Sequence, residues 1–233
     1  MDKIDKIDYI LLIFNCVRYR YKALKQKETW LKELTKKELT KKELEKDLEN
    51  NLIYFHVIGD PQLTNDFTID HDDHILYIKV EDDYNSLPKK VIRAYNALKN
   101  TYNFKYILKT DDDQMVTNIK FFNVLINLLD KKYEDPEKRI HYGGHIIDVK
   151  QPYLSQYYKI HDELPRELKI LCTRYCTGRF YFLSLDAIDE LILQTDQIES
   201  EYLEDYAIGY NIPNKLKTNM LQLDTEMYFL SFT

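Results

Sequence analysis

The residues best equipped for chemistry lie in one short stretch, Lys109-Thr110-Asp111-Asp112-Asp113. The preceding run, Phe104 to Leu108, is apolar and reads as a strand. The residues that follow read as a helix with Phe121, Phe122, Leu125, Leu128 and Leu129 facing inward. Three aspartates directly after a buried strand are costly unless something cationic sits among them. In open α/β sheets, ligands bind beyond the carboxyl ends of strands, which is where this turn falls. Carboxylate oxygens suit Mg2+ or Mn2+, and such ions take one or two carboxylates plus substrate phosphates. Paired acids recur at Asp72-Asp73 and Asp82-Asp83. The residues alone therefore leave two readings open, a cation site that grips a diphosphate and a solvated acidic turn.

The elements that must position this turn follow an α/β pattern. Tyr9 to Phe14 (YILLIF) is a core strand, and Leu52 to Ile58 and Ile75 to Val80 are two more. A polar loop joins the last two. Asn85 or Ser86 can cap a helix whose first turn holds Pro88 and whose apolar stripe is Leu87, Val91, Tyr95 and Leu98. Farther on, Phe180 to Leu183 reads as a strand and Leu185 to Leu193 as a helix. Between the first two strands lies a basic stretch, CVRYRYKALKQKETW, and then KELTKKELTKKELEKDLE. In that repeat successive leucines turn by roughly 140° on a helix, so Leu34, Leu39 and Leu44 share no narrow face. Glu33/Lys37 and Glu38/Lys42 are favourable i, i+4 pairs. Residues 32–50 are thus expected to be a charged helical insertion within one domain spanning 1–233.

Composition narrows the chemistry. The chain has 5 glycines in 233 residues, against roughly 16 at average usage. No cluster exists that could form a Walker A loop or a dinucleotide fingerprint, so a phosphate ligand would need another route, and a metal supplies one. The net charge of −6 argues against a general nucleic-acid binder. No apolar run approaches the about 20 residues of a bilayer-spanning helix. The start, MDKIDKID, lacks the layout of a signal peptide. A soluble, cytoplasmic protein without a transmembrane segment is the expectation. Cys16, Cys172 and Cys176 fit neither a zinc ribbon nor a thioredoxin motif, and the odd count favours free thiols over a Cys172–Cys176 bridge, the alternative left open.

The order of neighbouring motifs adds a resemblance. The segment YILKTDDDQMVTN (106–118) resembles the K-x-D-D-D-x-φ-x-x-N signature, φ being apolar, of glycosyltransferase family 31, the β1,3-galactosyltransferase and Fringe-like enzymes. Upstream, Asp82-x-Tyr84-x-x-Leu87-x-x-Lys90 resembles that family's D-x-Y-x-x-L-x-x-K element. Lys27-Glu28-Thr29-Trp30 is similar to its R-x-T-W element, and Phe55 to Gly59 to its F-x-x-G strand end. Downstream, YCTGRFYFLS (175–184) resembles Y-C-x-G-x-x-Y-x-x-S, and LEDYAIG (203–209) resembles (E/D)-D-V-x-x-G. The matches keep the family's order and cover most of the chain.

The resemblance implies a GT-A fold, with a single mixed, mostly parallel sheet flanked by helices. It also implies a UDP-sugar donor, Mn2+ (or Mg2+) and an inverting transfer to a hydroxyl of a glycan or glycoprotein acceptor. Carried over by residue, Asp111 and Asp113 are the metal ligands, and Asp205, with Glu204 as the alternate, is the catalytic base. Asp112, Lys109, Asp82, Lys90, Lys27, Gly178 and Arg179 fall on the donor side. On the residues alone, Asp205 reads first as an acid favoured by a helix N-terminus, and Lys90 reads as a solvated helix lysine or a donor contact. Tyr84 and Trp30 read as packing residues, and Gly143-Gly144 as a turn. The family often supplies a further histidine ligand after its E-D-V motif, and none follows His161 here. His141 and His145 flank the glycine pair, and His71 and His74 sit in an acidic loop. The missing histidine keeps open a catalytically degenerate GT-A domain that binds nucleotide-sugar or glycan without turnover, and a metal phosphohydrolase is a third reading. The family's anchor and stem find no match, which implies work outside a secretory lumen, as in bacteria or large viruses. The tyrosine-rich segment Gln151 to Leu171 is the expected acceptor loop.

Overall fold

A computed structural model describes residues 7–34 and 52–232. In chain order its strands are Tyr9–Phe14 (β1), Leu52–Gly59 (β2), Phe67–Asp70 (β3), Ile75–Ile78 (β4), Tyr106–Asp111 (β5), Gln114–Val116 (β6), Tyr142–Val149 (β7), Tyr153–Leu154 (β8), Lys169–Ile170 (β9), Thr173–Ser184 (β10), Leu221–Gln222 (β11) and Phe229–Ser231 (β12). The helices are Arg20–Glu28 (α1), Trp30–Leu34 (α2), Leu87–Thr101 (α3), Lys120–Tyr133 (α4), Leu185–Ile192 (α5), Thr195–Glu199 (α6) and Glu204–Asn211 (α7).

The main sheet has eight strands in the order β11-β7-β10-β5-β1-β2-β4-β3. Its centre is parallel, because β1 lies between β5 and β2, and β4 continues beyond β2 in the same sense. Parallel strands are covered on both faces, which requires a continuous apolar run rather than alternation. β1 meets that requirement: Ile10, Leu12 and Phe14 join one buried cluster, while Tyr9, Leu11 and Ile13 join the other. The first cluster takes in α3, α5 and α7; the second takes in α2 and α4. β10 pairs antiparallel with both β5 and β7. This is the mixed, mostly parallel sheet between helical layers expected of a GT-A fold.

The elements differ from the sequence expectation in specific places. β5 starts two residues later than expected and carries its pairing through to Asp111, opposite Phe14. β3 forms inside the stretch taken as a polar loop; it is an edge strand, paired only with β4, so it tolerates polar residues. Leu128 is half-buried and Ile126 takes the inward place on α4. Gly143-Gly144 is no turn but the middle of a sheet pairing, opposite Phe182 and Tyr181. Of the expected insertion, Lys32–Leu34 close α2, and residues 35–50 lie outside the described residues. The cysteines are free thiols.

Candidate active site

β1, β2 and β5 end side by side, and the acidic turn leaves from the end of β5. Asp112 N–H donates to the Phe14 carbonyl at 3.1 Å, which holds the turn against the end of β1. α1 is fastened over it by Gln26, whose amide donates to the carbonyls of Asp111 (3.4 Å) and Gln114 (2.9 Å). From the other side, Phe232 N–H donates to the Asp113 carbonyl at 2.8 Å as β12 pairs with β6.

Lys109 organises the interior of the site. Its side chain is 1% exposed, and a buried ammonium is tolerated only when its donors are matched. All three donors find partners: Asp111 Oδ1 at 2.7 Å, the Gly178 carbonyl at 2.9 Å and Glu204 Oε2 at 3.0 Å. Burial works to lower this ammonium's pKa, but Asp111 and Glu204 outweigh it and hold it above its ordinary value. Glu204 Oε1 accepts from the Tyr181 hydroxyl, whose oxygen lies 2.8 Å from that of Tyr95. A buried polar chain thus runs from α3 through β10 and α7 to the acidic turn. Asp111, desolvated and beside Glu204, is pushed up to about 7 despite the pull of Lys109.

Glu204 and Asp205, adjacent at the start of α7, have different surroundings. Glu204 is buried and locked to Lys109 and Tyr181, whereas Asp205 is half-buried. Asp205 Oδ2 accepts from Gly178 N–H at 3.1 Å, and Oδ1 accepts from Tyr206 N–H at 2.8 Å. Burial and the neighbouring Glu204 push its carboxyl up to about 6, against Lys109 and those two N–H donors. Gly178 sits where the β7–β10 register shifts between Cys176 and Tyr181, and such a bulge re-aims backbone groups. A Cβ there would stand 3.3 Å from both Asp111 Oδ2 and Lys109 Nζ, a crowding of the charged groups that glycine avoids. At Gly209 a Cβ would fall 2.2 Å from Tyr175 Cβ, so glycine lets α7 press onto β10.

The other expected donor-side residues divide. Asp112 Oδ1 faces Lys22 Nζ at 3.3 Å. Asp82 and Lys90 form a clasp rather than a solvated pair: Lys90 Nζ, 2% exposed as a residue, bonds Asp82 Oδ1 (2.7 Å) and the Asn15 carbonyl (2.9 Å). Asp82 in turn accepts from Gly59 N–H at 2.9 Å and Val17 N–H at 2.7 Å, tying the ends of β1 and β2 together. Lys27 is engaged elsewhere, donating to the Asp73 carbonyl at 2.5 Å. The Arg179 carbonyl accepts from Thr110 Oγ1 at 2.7 Å, while its guanidinium lies 3.7 Å from Glu226. His141 bonds Ser184 Oγ at 2.8 Å, and His74 stacks on Tyr54 with ring centroids 4.4 Å apart, so these histidines pack against the fold. Trp30 is a packing residue stacked on Phe122.

Among the described residues no group of three or more His, Cys, Asp or Glu side chains is arranged to hold a metal. Two hard carboxylates, Asp111 and Asp113, nonetheless suit an ion whose remaining ligands are phosphate and water. Asp113 accepts from Gln114 Nε2 through Oδ1 (2.6 Å), which leaves Oδ2 for a cation. Sequence reasoning missed a further feature of this turn. Asn15 Nδ2, Gln26 Oε1 and Gln114 Oε1 are buried without a hydrogen-bond partner, an unmet polar demand beside the carboxyl ends of the strands. Motif spacing carries no signal for these long-range amide contacts.

The segment expected to meet the acceptor is rich in aromatic contacts. Tyr84 stacks on His161 with ring centroids 4.0 Å apart, and Tyr84, Tyr158 and Tyr175 pack around Leu203 and Tyr206, the neighbours of the 204–205 acids. The 151–171 segment thus folds against the start of α7.

A family model described as Galactosyltransferase matches residues 22–223. Among curated proteins, the chain is similar to the UDP-GalNAc:beta-1,3-N-acetylgalactosaminyltransferase 1 of Homo sapiens, with 28% identity over 166 residues, covering 68% of this chain and 48% of that protein. The Mus musculus protein of the same name is 26% identical over 189 residues, covering 77% of this chain and 55% of its own. The chain spans about half the length of the curated relatives it matches. Among the described residues no helix is long and apolar enough to cross a membrane.

Proposed function

This chain belongs to the Galactosyltransferase family, and from that premise we propose that it transfers a sugar from a UDP-sugar to a hydroxyl of a glycan or glycoprotein acceptor, with inversion at the anomeric carbon. The observation that carries the reading is the asymmetry of the acid pair on α7. Glu204 is locked inside by Lys109 and Tyr181, while the half-exposed Asp205 is oriented by two backbone N–H groups beside the aromatic acceptor wall.

In the proposed step, Asp205 takes the proton of the acceptor hydroxyl as that oxygen bonds to the anomeric carbon. The bond from that carbon to the diphosphate oxygen breaks, its electron pair leaves with UDP, and Asp205 holds the proton. Asp111 and Asp113 would hold Mn2+ or Mg2+, whose chemistry is to offset negative charge growing on the departing diphosphate. Lys109 keeps Asp111 and Glu204 in place from beneath. The unpartnered amide atoms of Asn15, Gln26 and Gln114 favour a polar donor against the same turn.

The relatives carry UDP-GalNAc in their names, so it is the first donor to test. The chain is incubated with UDP-GalNAc, UDP-galactose and UDP-GlcNAc, a mixture of simple glycosides as acceptors, and Mn2+, and UDP is measured. UDP release that needs an acceptor and stops with EDTA is expected. A donor that raises the melting temperature without UDP release would replace transfer with binding alone. Phosphate release from simple phosphoesters, without donor preference, would point to a phosphohydrolase.

A further inference from the structure

β6 follows the acidic turn directly, and its first residue, Gln114, is 3% exposed. A buried amide is costly where its groups go unmatched, and an apolar side chain would pack there without that cost. The Gln114 amide is matched on one side only. Its Nε2 has two hydrogens to give, and they go to Asp113 Oδ1 at 2.6 Å and Ser231 Oγ at 3.2 Å. Among the described residues nothing bonds its buried Oε1. The reverse orientation would set Oε1 against the Asp113 carboxylate, oxygen against oxygen. Gln114 therefore keeps a donor on Asp113 and leaves its own acceptor unmet. Neighbours in an extended strand point to opposite faces, so this bond between adjacent side chains exists because the chain turns at Asp113.

The frame behind Gln114 is well anchored. β12 sets Ser231 opposite Gln114 and Phe229 opposite Val116. Phe229 is fully buried against Phe121 and Phe180, and Phe232 N–H bonds the Asp113 carbonyl. Asp113 is thus held at its carbonyl and at Oδ1, in both cases from the β6–β12 pair. Lys109 acts similarly on Asp111 by taking its Oδ1. Each of the two acids has one oxygen fixed, by an ammonium in one case and by a neutral amide in the other.

We propose, on the reading of Asp111 and Asp113 as cation ligands, that Gln114 is a positioning residue that fixes the Asp113 carboxylate with Oδ2 as the oxygen offered. Gln114 falls on a position that the K-x-D-D-D-x-φ-x-x-N signature leaves open, so the role belongs to this chain's own residue and not to the motif. A carboxylate already held loses less rotational freedom when a cation binds. Contacts of this outer kind commonly set metal affinity. With no histidine after His161 to add a ligand, the alignment of the two acids matters more.

The test is Mn2+ uptake by the 233-residue chain at saturating UDP, read from the electron paramagnetic resonance signal of free Mn2+, beside a melting curve for each variant. Gln114→Met should weaken Mn2+ binding at least about tenfold, and Ser231→Ala, which releases one side of the amide, about threefold. Thr117→Val loses the Oγ1 bonds to the Met227 and Tyr228 carbonyls. It loosens the same strand pair without touching Asp113, and Mn2+ binding should be unchanged. UDP affinity without metal should be equal in all four chains. Should Gln114→Met not fold, Ser231→Ala, at an exposed residue, carries the test. Uptake as tight as that of the unmodified chain in the variant that carries the test would overturn the role of Gln114 while the cation site stands. Equal weakening in Thr117→Val would make Gln114 a fastener of the strand pair and overturn its role as well. No uptake by the unmodified chain would instead overturn the cation reading, and this role with it.

Discussion

Two buried lysines sit near the carboxyl edge of the sheet, and their partners differ in what they leave free. Lys90 holds Asp82, whose oxygens are already taken by the N–H groups of Gly59 and Val17, so this cluster is closed on itself. Lys109 holds Asp111 and Glu204, but Asp111 keeps 34% of its side chain exposed and Asp205 stands beside the pair with a half-exposed carboxyl. The same chemistry, a buried ammonium between carboxylates, thus serves as a fastener in one place and as the floor of an open site in the other. A perturbed charge marks function only where part of the cluster faces a ligand.

That contrast can be broken by substitution. The largest effect is expected for Lys109→Met, which strands two carboxylates at once: a loss on the order of 4 kcal/mol in stability, with any surviving turnover down at least about a hundredfold, measured by denaturant melts and UDP release. Lys90→Met should cost about 3 kcal/mol, lowering the melting temperature by roughly 6–12 °C, while the folded fraction keeps its kcat. A raised donor KM in that variant would instead return Lys90 to the donor contacts that its motif implies.

The pH profile sharpens the open half of the comparison. A base must be ionised, so with Asp205 raised to about 6, kcat should fall about tenfold per unit below that value and level off above it. The shift has an opposite sign for stability. Between about pH 4 and 6 the folded carboxyl keeps a proton that the unfolded one has lost, so Asp205's contribution declines as pH rises through that window. The smallest effect is expected for Tyr181→Phe, which cuts the link between Tyr95 and Glu204 and should cost about 1–2 kcal/mol with a modest fall in kcat.

The parts of this molecule that were legible in advance share one physical property: their role is local. β1 shows as a continuous apolar run because it is covered on both faces, and α3 shows through Pro88 and its stripe. The acidic turn and the acid pair on α7 are readable because motif order places them. The Gly143-Gly144 doublet misleads, since glycine punctuates turns far more often than it relieves crowding, and here Phe182 and the Phe180 carbonyl fill the space. Tyr95 reads as an apolar stripe member because its ring is one; its hydroxyl partner lies 86 residues away on β10. Lys90's burial and the amide contacts of Gln26 are likewise products of tertiary packing, which no spacing rule encodes.

If Asp205 is the base and Glu204 its buried support, the decisive variant is Asp205→Asn, followed by UDP release, a melting curve and UDP affinity. Release lowered at least about a hundredfold is expected, with UDP binding kept and melting lowered by only about 2–4 °C, because asparagine keeps one oxygen for the Gly178 or the Tyr206 N–H and loses the other acceptor. Undiminished release from a folded Asp205→Asn chain would contradict that role.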